Sequence, residues 1–226
     1  MNEYTMNHGS NSHWPRKAST IEVIGEGSAA APADQAIVVL GAVTEGTDLR
    51  PIQAENANIM TAVIGSLLRL GIPRDKLQTQ EYRIDTMYDF VDGKQIFRGY
   101  QVTNLIQVTV DQVDQTGTVV DTAVGSGANH VSSIRLTTAR PDIYEHQALS
   151  LAVRDAAQRA LTIANTLGVM AANVPLEVQQ LPLPGGPVPM FKAAAFAGSA
   201  VTPIEPGGLT VNASVRAVYA ILPGSH

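Results

Sequence analysis

Apolar positions along this chain keep two rhythms, a period of two and a spacing of three and four, and the switches between them lay out its elements. Ile21, Val23 and Gly25 alternate with Glu22 and Ile24, while Ala36-Ile-Val-Val-Leu40 is apolar on both faces, so an outer strand precedes a central one. Pro51 sits where the first turn of a helix tolerates a missing N–H. From there to Leu70, the residues Ile52, Ile59, Met60, Val63, Ile64 and Leu67 form a stripe that must pack on a sheet. Gly71 ends this helix, with Pro73 beyond it.

Residues 79–90 read as a strand, and Asp92-Gly93 supplies the two positive-φ positions of a tight hairpin turn. In the returning strand, Val102, Ile106, Val108 and Val110 face one way, while Gln101, Thr103, Gln107 and Thr109 face the other. Asp114 caps a short helix carrying Val120, Ala123 and Val124, which stops at Gly125-Ser-Gly127 before a strand over residues 131–137. From Ala36 to Thr137 the order is the split βαβ of a ferredoxin-like sheet, and its two halves suggest a loose repeat.

A long helix follows over residues 141–167, with Leu149, Ala152, Ala156, Ala160, Ile163 and Leu167 on one face and Gly168 at its end. Its alanines allow close docking on a sheet, while Asp155, Arg159 and Thr162 stay wet. Residues 174–180 form a short strand, and Leu209, Val211, Ala213, Val215, Ala217, Tyr219 and Ile221 alternate as the closing one. The fold class is therefore α+β, a split βαβ repeat with an additional long helix and flanking antiparallel strands. We expect a single domain over residues 20–222.

Between the last two strands, residues 181–208 are rich in Pro, Gly and Ala, with Met190, Phe191 and Phe196 embedded. Long structureless connections are uncommon in compact domains, and disordered linkers are poor in aromatics. The loop either docks on its own domain or packs against another subunit. Met190, Phe191 and Phe196 are the candidate interface residues.

Composition narrows the partners. Of the 226 residues 45% are hydrophobic and 15% charged, a low-charge balance that suggests surface covered by self-association. A net charge of −5 with no basic run removes the phosphate attraction that nucleic acid requires. The absence of cysteine excludes disulfides, thiolate chemistry and Cys-based zinc sites. Residues 1–19 form a polar tail without an apolar core segment, which reads as neither export signal nor membrane anchor and predicts a cytoplasmic protein. His8 and His13 belong to that tail.

The candidates for chemistry are few. Gly25-Glu-Gly-Ser-Ala-Ala30 satisfies the letters of a dinucleotide fingerprint, but Ala31-Pro32 leads into another strand instead of a helix that would meet a pyrophosphate. Asp142, Glu145 and His146 open the long helix, where acids complement the helix dipole and neighbouring side chains point about 100° apart. His130 has no sequence partner to orient it. No Gly-x-Ser-x-Gly elbow occurs, and Asn212-Ala-Ser214 matches a glycosylation sequon in mid-strand. We expect no catalytic, cofactor-binding or metal-binding residues.

One ordered set of phrases spans the chain: Val23-x-Gly25-x-Gly27, Ala54-Glu-Asn56, Gly71-Ile72, Gly99-Tyr100, Gly127-Ala-Asn129, Leu167-Gly168 and Pro203-Ile-Glu-Pro-Gly207. In this order they resemble the SIMPL family over residues 20–222. The resemblance implies an α+β bacterial protein without agreed catalytic residues. It further implies kinship with members that are often periplasmic or envelope-associated, sometimes assemble into ring- or channel-like homo-oligomers, and are in part linked to oxidative stress. Two functions follow as expectations. The first is a non-enzymatic, self-assembling scaffold or stress-related binding module without cofactor or membrane span. The alternative is a small-molecule or metal-binding enzyme whose site forms between subunits, with Glu145, His146 and His130 as first candidates.

Overall fold

The computed structural model describes residues 19–182, 188–190 and 207–222. The polar tail up to residue 18 and most of the 181–208 connection lie outside the described residues. The elements run β1 (Thr20–Pro32), β2 (Gln35–Gly46), α1 (Leu49–Arg69), β3 (Leu77–Val91), β4 (Lys94–Val110), α2 (Thr116–Gly125), β5 (His130–Thr137) and α3 (Pro141–Leu167). They continue through β6 (Met170–Ala171), β7 (Glu177–Leu181), β8 (Val188–Met190) and β9 (Gly208–Leu222). The described chain divides into two compact units: residues 19–27, 149–182 and 213–222 form the first, and residues 28–148, 188–190 and 207–212 the second.

The second unit holds a four-stranded sheet in the order β3-β4-β2-β5. Each neighbouring pair is antiparallel. This is the ferredoxin-like order expected from the sequence, because each helical crossover joins two parallel strands and leaves a third between them. As the all-apolar run predicts, β2 is central: Ala36, Val38, Leu40 and Ala42 are fully buried. They form one core with Met60, Val63 and Leu67 of α1, Ile106 and Val108 of β4, and Val119 and Ala123 of α2.

Two local expectations are corrected here. Asp114 does not cap α2, because Val113–Gln115 form a 3-10 turn that leads into the helix. The Thr116 hydroxyl closes that turn by donating to the Val113 carbonyl at 2.6 Å. With the helix starting there, Val119 and Val120 turn inward and Val124 is exposed.

In the first unit β9 pairs with β1 and, antiparallel, with β6 and β7. The predicted inward positions Ala213, Val215, Ala217 and Tyr219 of β9 are buried. The apolar face of α3 differs from the expected one. Ala152, Ala156, Ala160 and Ala164 are buried, whereas Ile163 and Leu167 are exposed. Spacing by four keeps the alanines in one nearly straight row, and the helix packs so closely along it that larger side chains are displaced to its flank. The closest point is Gly25 of β1, where an added Cβ would overlap the Ala152 carbonyl and the Ala156 amide. Within the second unit, β8 pairs with residues 208–210 of β9, so part of the expected loop is a strand. Among the described residues, no helix is long and apolar enough to cross a membrane.

Candidate interaction surface

The hairpin predicted around Asp92-Gly93 forms, with φ of 50° at Asp92 and 74° at Gly93. Its strands outrun the sheet. The β2–β4 ladder ends at Gly46↔Tyr100, because the chain turns there towards α1, whereas the β3–β4 ladder continues through Met87↔Gly99 and Tyr88↔Phe97 to Val91↔Lys94. Residues 86–99 thus form a two-stranded arm. Its root is tight: a Cβ on Gly99, at φ 156°, would lie 2.6 Å from the Gly46 carbonyl oxygen. Glycine is required at this approach.

The arm extends a face that is covered elsewhere. Residues opposite one another on an antiparallel ladder share a face, and alternate residues along each strand repeat it. Ile84 pairs with Val102, and Val102 is fully buried on the helix side of the sheet. On the same side the Gln53 side chain of α1 donates to the Tyr82 hydroxyl at 3.0 Å. Following β3 outward beyond Tyr82, this face carries Ile84, Thr86, Tyr88 and Phe90, all but Thr86 large hydrophobic side chains that stay exposed among the described residues.

Here Phe97 stacks edge-on between Tyr88, at 6.0 Å between ring centroids, and Tyr100, at 5.2 Å. Phe97 and Tyr100 share a face because the register shifts by one residue at Arg98, a bulge. Phe90 is 77% exposed, Phe97 47% and Tyr88 44%, and Val91 and Ile96 on the reverse face are also exposed. Exposed aromatic side chains grouped in this way make the arm a candidate interaction surface. The sequence shows the aromatic residues at positions 88, 90 and 97 beside the tight turn, but not that the neighbouring strand ends before them.

The residues expected to form an interface fall elsewhere. The Met190 backbone lies in β8, opposite Gly208. Phe191 and Phe196 lie outside the described residues. Glu145 and His146 are exposed on α3 and His130 is exposed at the start of β5. Among the described residues, no three His, Asp or Glu side chains are grouped to hold a metal ion. Gly25, Gly27 and Ala30 all lie inside β1, so no helix N-terminus meets that glycine pair.

The phrases that carried the family resemblance have structural jobs. Asn56 is buried and its amide donates to the carbonyls of Ala42 at 3.0 Å and Val102 at 3.2 Å, pinning α1 to the two central strands. Its Oδ1 is buried without a partner. Asn129 stands in for a missing strand residue: it accepts from the Val43 amide and donates to the Val43 carbonyl, both at 2.8 Å. Gly71 and Gly127 hold φ of 101° and 108° beyond the ends of α1 and α2.

The titrating groups that depart from ordinary behaviour sit in ion pairs or in the core. Arg216 grips Glu22 through two bonds of 2.6 and 2.9 Å and reaches Glu177 at 3.0 Å. Its hydrogen bond holds the Glu22 carboxyl below the usual carboxylate range. Asp111 is lowered in the same way, first by Lys76 and then by Gln35. Burial raises the Tyr219 hydroxyl. Tyr219 lines a pocket of about 60 Å³ in the first unit, far below the ~300 Å³ at which small-molecule sites begin.

The fold is an α+β domain, and the motif residues placed above serve its architecture. Residues 21–219 match the SIMPL family, described as a protein of unknown function (DUF541), and the chain belongs to that family. It is 29% identical over 211 residues to the 26 kDa periplasmic immunogenic protein of Brucella melitensis, covering 89% of this chain and 84% of that one. It is 30% identical over 164 residues to the uncharacterized protein YggE of Escherichia coli strain K12, covering 70% of this chain and 65% of that one. The family description carries no enzymatic activity.

The cytoplasmic expectation is corrected by this comparison, since the Brucella relatives are named periplasmic proteins. An export leader is removed from the mature protein. The strands and helices of a domain therefore keep no trace of it.

Proposed function

We propose that this chain is a periplasmic, non-catalytic module that acts by contact and assembles with itself through the β3–β4 arm. The carrying observation is the uncovered aromatic face of residues 82–97, continuous with a face that α1 covers over the body of the sheet. At ~150–250 Å² per aromatic side chain, the exposed parts of Tyr82, Tyr88, Phe90 and Phe97 amount to roughly 450 Å². Ile84 adds to that face, which stays below the ~800 Å² that each partner buries in an interface of standard size, while Val91 and Ile96 are exposed on the reverse face. Aromatic side chains of this kind dominate the energy of such contacts. The name of the Brucella relative supports the compartment. Met190, Phe191 and Phe196 belong to the same proposal as a second contact segment.

The test is the mass in solution of the parent and of a Phe90→Ser/Phe97→Ser variant, by light scattering after gel filtration. The parent should run at a multiple of 23.9 kDa, and the variant at the single-chain mass with unchanged circular dichroism. A single-chain mass for the parent would refute the reading, as would an unchanged multiple for the variant.

A further inference from the structure

The pocket beside Tyr219 arises from a mismatch along β9 in the first unit. Ala171 pairs with Ile221 and Glu177 with Val218, so residues 172–176 stand opposite only 219 and 220. The Ala172 amide donates to the Ala220 carbonyl at 2.9 Å, and the Leu176 amide to the Val218 carbonyl at 2.7 Å. Between these two bonds residues 173–175 loop out of the ladder, and Pro175 has no N–H to give it. The detour leaves a space of about 60 Å³ between Ala160 and Leu161 of α3 on one side and Ala172, Asn173 and Tyr219 on the other.

Tyr219 is only 4% exposed. Burial alone raises its hydroxyl, with neither a hydrogen bond nor a nearby charge contributing, and among the described residues no protein group is bonded to it. A buried hydroxyl without a partner is costly, and native structures supply one from protein or from ordered water. The space beside it suits water and excludes drug-sized ligands: roughly 10–15 Å³ is enough for one water molecule, whereas small-molecule sites begin near ~300 Å³. We infer that this pocket is a hydration site, in which an ordered water is bonded to the Tyr219 hydroxyl and held from the other side by the Asn173 side-chain amide. Asn173 is exposed, which gives the water a way in from solvent.

Such a water ties the looped-out residues back to the strand they have left. It also gives α3 a polar neighbour at a point where its alanine row offers no side-chain hydrogen bond. The hydrated and the dry pocket predict opposite effects of Tyr219→Phe. In a dry pocket the substitution removes an unpaired polar group and stabilises the fold; in a hydrated one it strips the water of a partner and destabilises it.

Magnetic relaxation dispersion of water oxygen-17 counts long-lived internal waters in the folded protein in solution. The parent should hold at least one more than Tyr219→Phe, and the variant should unfold at a lower urea midpoint with unchanged circular dichroism. Asn173→Ala, at an exposed position, should shorten the residence time of that water, and this arm decides the matter where Tyr219→Phe fails to fold. A crystal structure of the parent should place the water within hydrogen-bond distance of the Tyr219 Oη. Equal water counts in parent and Tyr219→Phe, a raised urea midpoint, an unchanged residence time in Asn173→Ala, or a Tyr219 hydroxyl bonded directly to a protein group would each overturn the inference.

Discussion

Replacing Gly25 by alanine adds one methyl group at the place where β1 and α3 come closest. The new Cβ would overlap the Ala152 carbonyl and lie 2.5 Å from the Ala156 nitrogen and 2.6 Å from its Cβ. Two of these neighbours are backbone atoms, which cannot rotate aside. The helix must therefore lift away, and a radial gap of even ~0.5–1 Å forfeits a quarter to a half of the dispersion energy of each contact along the alanine row. Overpacking of this kind costs about 1–3 kcal/mol, and the upper end applies where backbone must move.

Against it stands a gain of about 0.4–1 kcal/mol from a less flexible unfolded chain. The net loss is about 2 kcal/mol, or a fall of about 5 °C in Tm for a chain of this size. Gly65→Ala is the matched control. Gly65 lies inside α1, and a Cβ there meets only the tip of the Arg69 side chain, at 3.5 Å. It should stabilise by about 1 kcal/mol through helix propensity. Urea and thermal unfolding followed by circular dichroism would compare the two. If Gly25→Ala melts at or above the parent, the close docking of α3 on β1 is not as described.

The remaining predictions concern polar contacts. Asn129→Ala removes both bonds to the Val43 main chain and should cost about 1–2 kcal/mol, with faster hydrogen exchange at the Val43 amide. Asn129→Asp keeps the acceptor but loses the donor, and should fall between the two. The Glu22–Arg216 pair makes stability depend on pH in a fixed direction. The folded-state pKa of Glu22 is lowered, so its contribution is present above the unfolded value near 4.5 and is lost as the pH falls through the lower, folded one. Arg216→Gln should flatten that acid limb by lowering stability slightly above the unfolded value, since the pair is exposed to solvent, and leave it unchanged below the folded one. A steeper limb in the variant would contradict the assignment.

Much of this architecture was legible because local chemistry forces it. Asp92-Gly93 fixed the hairpin, since few dipeptides tolerate two successive positive φ values. Gly71, with Pro73 beyond, fixed the end of α1, and the apolar run at Ala36–Leu40 fixed a strand flanked on both sides. The chain order of these elements then admitted the ferredoxin-like sheet.

The interaction surface was not legible because alternation along a strand is the same whether or not a third strand lies alongside. Nothing at positions 86–99 records that β2 stops at Gly46. On α3 the expected Ala152, Ala156 and Ala160 are buried, but Ile163 and Leu167 are not, because hydrophobicity ranks isoleucine and leucine above alanine while close packing ranks them below. Met190, Phe191 and Phe196 stand out in sequence because apolar residues interrupt a loop, whereas Tyr88, Phe90 and Phe97 belong to a regular strand pattern.

The bulge at Arg98 makes the whole surface a matter of parity. Phe97 is an odd-numbered neighbour of an even-numbered Tyr100, and only the one supernumerary residue between them lets both rings lie on one side. Deleting Arg98 would remove the bulge and leave Phe97 two residues from Tyr100 on the same face, whereas drawing Arg98 into the ladder would turn Phe97 to the far side of the ribbon. The row of three rings thus depends on one residue of this arm staying outside the ladder.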